Sequence, residues 1–193
     1  MFELLFPFFL LVLLFLILFI IWRIKARKYI SSGTVASAYD AWTQDKLLER
    51  LWGEHIHLGF YPLGNKDIDF REAKVQFVHE LVKWSGLDKL PKGSRILDVG
   101  CGIGGSSRIL AKYYGFNVTG ITISPAQVKR ARELTPFGIN CNFQVMDALD
   151  LKFADGSFDG IWSVEAGAHM NDKTKFADEI LRTLRPGGYL ALA

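Results

Sequence analysis

The sequence predicts an α/β fold built on a parallel, doubly wound sheet, and three observations predict it. From residue 94 onward, short apolar runs alternate with helical repeats: strand 95–99, helix 106–114, strand 117–121, helix 125–134, strands 141–145 and 158–163, helix 173–184, and a strand opening at 188. The first run, Ile96-Leu-Asp-Val99, is apolar enough for a strand covered on both faces. It stops in Gly100-Cys-Gly-Ile-Gly-Gly105, whose glycines leave the backbone bare at a helix start, where N–H groups favour anionic ligand groups.

Each element has a local reason. Ser106 is the expected N-cap of the first sheet-domain helix, which should bury Ile109, Leu110 and Tyr113. Ser124-Pro125 opens the next helix, and Arg185-Pro-Gly-Gly188 marks the stop before the last strand. Asp159 is expected to be structural. Ahead of the sheet, Asp69 to Trp84 reads as an amphipathic helix with Phe70, Ala73, Phe77 and Leu81 on one face. Further upstream, Val35, Ala38, Tyr39, Trp42, Leu48, Leu51 and Trp52 fall at roughly helical spacing, as a stripe expected to be mostly core. Between these helices, Trp52 to Pro62 is dense in aromatics and holds His55 and His57. Alternation along an extended segment turns both imidazoles toward one cavity, either as packed, hydrogen-bonded rings or as part of a flap that presents a base.

The chain's bulk divides sharply. Leu4 to Trp22 is free of charge; as a helix it would be about 28 Å long, against roughly 30 Å for a bilayer core. A single membrane anchor with a basic flank is therefore expected at 1–28, a helical cap segment at 29–93 and the sheet domain at 94–193. Arg23, Lys25, Arg27 and Lys28 follow the apolar run directly and place the sheet domain on the cytoplasmic side. A cleaved signal peptide is the competing reading, but Glu3 rather than a basic cluster precedes the run, and Ala36-Ser-Ala38 lies beyond the basic flank. The formal charge of +3 belongs to this flank. The remainder is balanced, which argues against a nucleic-acid partner. Two cysteines, Cys101 and Cys141, and four histidines show no ligand spacing, so neither a disulfide nor a metal site is expected. The last strand, Tyr189 to Ala193, has nothing after it to pair or cover it; the chain is expected to be an N-terminal piece of a longer product.

Gly100, Gly102 and Gly105 satisfy the dinucleotide spacing G-x-G-x-x-G and equally the glycine loop of S-adenosylmethionine (SAM) enzymes. An NAD site needs an acid after the second strand, about 20 residues on, for the ribose hydroxyls. Thr122-Ile-Ser-Pro125 stands there instead. Asp98, at the mouth of the first strand, suits the ammonium of a methionine moiety and would repel a pyrophosphate. SAM is thus the expected cofactor, ahead of NAD and of a purely structural turn.

Four segments, Trp52-Gly-Glu-His-Ile-His-Leu-Gly59, Ile96-Leu-Asp-Val-Gly-Cys-Gly-Ile-Gly-Gly-Ser-Ser107, Thr119-Gly-Ile-Thr-Ile-Ser-Pro125 and Trp162-Ser-Val-Glu-Ala-Gly-Ala-His-Met170, together resemble the tocopherol-type quinol methyltransferases. The likeness covers residues 29–193 and is nearest to membrane-anchored cyanobacterial members, acting on methyl-phytyl- and methyl-solanyl-benzoquinol. It implies a class I SAM-dependent methyltransferase fold, Rossmann-like and C-terminally incomplete, holding five of the family's seven strands. It also implies C-methylation of a prenylated benzoquinol in tocopherol and plastoquinone biosynthesis.

By the same resemblance, Asp98 and the backbone of Gly100, Cys101, Gly102, Ile103 and Gly104 hold the methionine end. Thr122 and Gln127 take the ribose, with Ile123 beside them, and Asp147 with Ala148 meets the adenine. Glu165 and His169, past the fourth strand, line the pocket. A phenolic ring carbon becomes nucleophilic when its hydroxyl loses a proton, and His55, His57, Glu165 and His169 are the unranked candidates to receive it. The implied partner is a lipophilic quinol in a plasma or thylakoid membrane, to which an anchor would hold the domain close. Oligomeric state stays open. The alternatives are a related SAM methyltransferase on tocopherol, sterol or phosphoethanolamine substrates, and a SAM-binding fragment or tethered interaction module without turnover.

Overall fold

The computed structural model describes residues 11–18, 32–63 and 67–193. The chain divides into two units, 1–34 and 35–193. In the first, residues 11–18 are helical and their side chains are exposed. Among the described residues no helix is long and apolar enough to cross a membrane. Most of the expected span Leu4–Trp22, and the basic cluster after it, lie outside the described residues.

The second unit is built around a five-stranded parallel sheet in the order β3-β2-β1-β4-β5. Its strands are β1 (Arg95–Val99), β2 (Asn117–Thr122), β3 (Cys141–Val145), β4 (Phe158–Ser163) and β5 (Leu184–Leu192). Helices α1 (Ser32–Asp45), α2 (Leu47–Trp52) and α3 (Phe70–Ser85) precede the sheet; α4 (Gly105–Tyr114), α5 (Pro125–Leu134) and α6 (Lys173–Thr183) connect its strands. Ile96 and Trp162 pack with Val78 and Val82 of α3 and Leu110 of α4 on one face. Leu97, Val99 and Ile161 pack with Phe176 and Ile180 of α6 on the other. All three apolar residues of β1 are fully buried, as a central parallel strand requires. Asp159 proves structural: one carboxylate oxygen accepts from the Arg95 N–H and the other from the Arg185 guanidinium.

Several local expectations are corrected. The N-cap of α4 is Gly104, in a left-handed conformation and without a side-chain cap, because the glycine loop turns directly into the helix; Ser106 lies inside it. Tyr113 is 59% exposed, while Ile109 and Leu110 are buried as expected. Strand β5 begins at Leu184 and carries a register irregularity opposite Phe158 to Gly160, so Arg185-Pro-Gly-Gly188 is absorbed as an irregular stretch of strand. The stripe from Val35 to Trp52 is neither one helix nor core. Lys46 adopts a left-handed conformation between α1 and α2, and Trp42, Leu51 and Trp52 are exposed, leaving only Val35 of that stripe buried. Phe70, on the expected core face of α3, is also exposed, whereas Ala73 and Leu81 are buried.

Candidate active site

The site lies at the C-terminal edge of the sheet, where open α/β folds place ligands. The glycine loop after β1 is held by its own backbone: the N–H groups of Gly100 and Cys101 both donate to the Ile121 carbonyl at 2.9 Å. Its sides are closed. A Cβ at Gly100 would stand 2.4 Å from that of Ala166, one at Gly104 would strike Phe143, and one at Gly105 would strike the Glu54 carbonyl and His55. Gly102 differs, since a Cβ there meets nothing within 4 Å. At φ 54° the residue is in the left-handed region that favours glycine, and its backbone borders open space. The loop therefore offers a bare cradle on one side only, which fits a ligand lying along it.

Asp98 sits beneath this cradle, 2% exposed, and accepts a 2.5 Å hydrogen bond from Ser107 of α4. Burial pushes its carboxyl up to about 7, and the Ser107 hydroxyl only partly offsets that. Cys101 is buried and its thiol is raised well above its usual range by desolvation, so it is inert.

At the end of β2, the Thr122 hydroxyl donates to Gln127 Oε1 at 2.7 Å, both side chains being buried. Ile123 lies between Thr122 and Ser124, whose hydroxyl caps α5 by accepting from the Gln127 N–H. The Met146 N–H donates to the Thr122 carbonyl, which brings the end of β3 alongside. Asp147 follows, its carboxylate turned back to accept from the Leu149 N–H, and Ala148 is buried next to it.

Past β4, Glu165 takes the left-handed region at φ 52°, unusual for a residue with a side chain and most often kept where function demands it. Its Oε1 accepts from the Leu58 N–H at 2.9 Å, tying the histidine segment to this strand end. His57 donates through Nδ1 to the Leu58 carbonyl at 2.7 Å, which leaves Nε2 as acceptor for the Nδ1–H of His55 at 3.2 Å. The two imidazoles thus face each other, their ring centroids 5.1 Å apart. Burial lowers the His55 ring to about 3 and also lowers His57, although the Leu58 carbonyl and Glu165 pull the latter back up. His169 stands apart from this pair, its Nε2 3.0 Å from the Tyr39 hydroxyl of α1.

Sequence reasoning missed the residues that fasten the cap to the sheet. Arg108, buried in α4, donates to the Ile103 carbonyl at 2.8 Å and pairs with Glu54 at 2.6 Å. Arg130 of α5 grips both oxygens of Glu49, holding that carboxyl below its usual range. Asp40 of α1 accepts from the Ser124 hydroxyl at 2.5 Å and the Ala126 N–H at 3.1 Å. A small hollow of about 20 Å³ remains between cap and loop, lined among others by Tyr39, Trp42, Ile56, Ile103 and Gln127. No local pattern announces these links; an arginine set directly before the apolar run Ile109-Leu-Ala111 was the one available signal.

Residues 97–192 match the family model described as a methyltransferase domain. The chain belongs to that family. It is 60% identical over 173 residues to the 2-methyl-6-phytyl-1,4-hydroquinone methyltransferase of Synechocystis sp., an alignment covering 90% of this chain and 54% of that protein. The chain spans about half the length of the curated relatives it matches. Among solved structures, the [4+2]-cyclase SpnF superposes with a TM-score of 0.76 at 28% identity, covering 84% of this chain and 60% of the other. The phosphoethanolamine N-methyltransferase 2 of Haemonchus contortus, solved with S-adenosyl-L-methionine, does so at 0.60 and 26% identity, covering 78% and 32%. The fold is that of the class I SAM-dependent methyltransferases, and SAM is the cofactor that this methyltransferase domain uses.

Proposed function

We propose that this chain is the cofactor-binding part of a SAM-dependent C-methyltransferase acting on a prenylated benzoquinol, in the branch leading to tocopherol and plastoquinone. One observation carries the geometric argument. The open face of the glycine loop and the pair Glu165 and His169 converge on one sheet edge, so a donor and a hydroxylated acceptor can be held side by side. The 60% identity to a hydroquinone methyltransferase supports the acceptor class.

SAM, when bound, would supply an electrophilic methyl group on its sulfonium and leave as S-adenosylhomocysteine. Asp98, raised toward neutrality while buried, gains a cationic partner in the methionine ammonium and returns to its charged form. Thr122 and Gln127 face the ribose hydroxyls with neutral hydrogen-bonding groups, and Asp147 accepts from the adenine amino group. Glu165 or His169 receives the phenolic proton, which raises electron density on the ring carbon beside the oxygen; after methylation the hydrogen on that carbon leaves as a proton and the oxygen is reprotonated, so the aromatic quinol is restored and one proton is released per methyl group. His55 and His57, held neutral and bonded to each other, shape the flap and exclude water. We further propose that Leu4–Trp22 anchors the domain on the cytoplasmic side of a membrane that holds the quinol, so that the acceptor search becomes local.

Membranes carrying the chain, incubated with methyl-labelled SAM and 2-methyl-6-phytyl-benzoquinol, are expected to place label on a ring carbon. Label on an oxygen, or on sterol or phosphoethanolamine alone, would replace the acceptor. SAM binding with no label on any acceptor would leave a binding fragment.

A further inference from the structure

An acid does reach the end of β2, but it comes from the cap. Asp40 lies 84 positions before Ser124 and accepts its hydroxyl proton at 2.5 Å. Because a carboxylate only accepts, Ser124 must be the donor in that bond. The Ser124 oxygen is thereby left as acceptor for the Gln127 N–H at 3.1 Å, and the Ser124 N–H donates to Thr122 Oγ1 at 3.3 Å. The Thr122 hydroxyl then spends its proton on Gln127 Oε1 at 2.7 Å. Thr122, Ser124 and Gln127 are all buried, so water does not reorient this chain of bonds freely. Backbone N–H donors and the Gln127 amide oxygen fix each direction, and Asp40 holds the serine about which the turn is built; the Gln127 amide NH₂ and a remaining lone pair of Thr122 are left for a ligand. The Asp40 carboxylate also accepts the Ala126 N–H at the start of α5, where negative charge is favoured.

We propose that Asp40 is a positioning residue for the cofactor ribose, acting through Ser124 and the Ala126 N–H to fix where the start of α5 holds Gln127 against Thr122. This rests on the SAM reading of the site. It makes α1 part of the cofactor site and assigns to the cap the acid that other nucleotide sites carry at the end of β2.

The test compares the affinities of S-adenosylhomocysteine and its 2′-deoxy form, by calorimetry, for the full chain and its variants. In the wild type, loss of the hydroxyl is expected to weaken binding about tenfold, the worth of one good hydrogen bond. In Asp40→Ala that ratio is expected to fall toward one, with weaker binding of the parent ligand. Asp40→Asn, which keeps an acceptor oxygen, is expected to restore it, and Ser124→Ala to reproduce the Asp40→Ala result without adding to it in the double variant. A role confined to holding α1 on α5 would lower both affinities alike, and an unchanged ratio in Asp40→Ala overturns the proposal while leaving the cofactor reading intact. A wild-type chain that binds neither ligand overturns both.

Discussion

At 2% exposure, with a single hydroxyl donor, Asp98 holds a carboxyl where its charge is costly. Its folded-state value of about 7 stands above the ordinary 3.8. Between those two values the folded chain binds the proton more tightly than the unfolded chain does, so the Asp98 contribution to stability declines as pH rises from about 4 to 7 and is level above that. Asp98→Asn removes the decline. Thermal melts should find this variant more stable than the wild type at pH 8, by about 2–4 kcal/mol, and nearly equal to it close to pH 4. The same variant should lose S-adenosylhomocysteine binding, since the ammonium no longer meets a charge. A variant less stable than the wild type at pH 8 would mean that the carboxylate is already well solvated. The sequence placed Asp98 at the strand end and matched it to a cation, but burial and the Ser107 bond follow from α4 packing on β1. Gly102 likewise stood out only as one glycine of four, until the neighbours of the other three were known.

At the scale of elements, strands were legible because continuous apolar runs have few alternatives to a central parallel sheet. The ends of β1, β3 and β4 and of α5 fall where the sequence placed them. The cap was legible only as helix. Its break at Lys46 follows no local breaker, and its outward-facing Trp42, Leu51 and Trp52 defeat a rule that equates helical apolar spacing with core. What fixes the cap is long-range: Glu49 on Arg130, Glu54 on Arg108 and Asp40 on Ser124, none of which has a sequence-local signature. Arg108 bears most, since it joins the cap to the Ile103 carbonyl inside the cofactor loop. Arg108→Ala, which strands that carbonyl, should cost about 1–3 kcal/mol. Limited proteolysis should then cut the segment around residues 52–63 faster than in the wild type. Equal cutting rates would show the cap to be held by its other links.

Along the chain an uncharged run, Leu4–Trp22, precedes the cap and the sheet domain, the order the proposed function reads as membrane, acceptor and cofactor. If that order is functional, the full chain should stay in the membrane pellet through carbonate extraction. Release into the supernatant would remove the anchor from the account. Family membership and fold were legible early, because the glycine loop and the strand pattern are carried by contiguous residues. The site's closure was not, because it needs residues 39–58 laid against residues 103–169. The most direct test maps that closure by hydrogen exchange of the full chain with and without S-adenosylhomocysteine. Protection confined to the backbone around 98–105, 122–127 and 147–148, together with α1 near Asp40, is the predicted result. Protection elsewhere, or none at saturating ligand, would contradict the placement of the cofactor on this edge of the sheet.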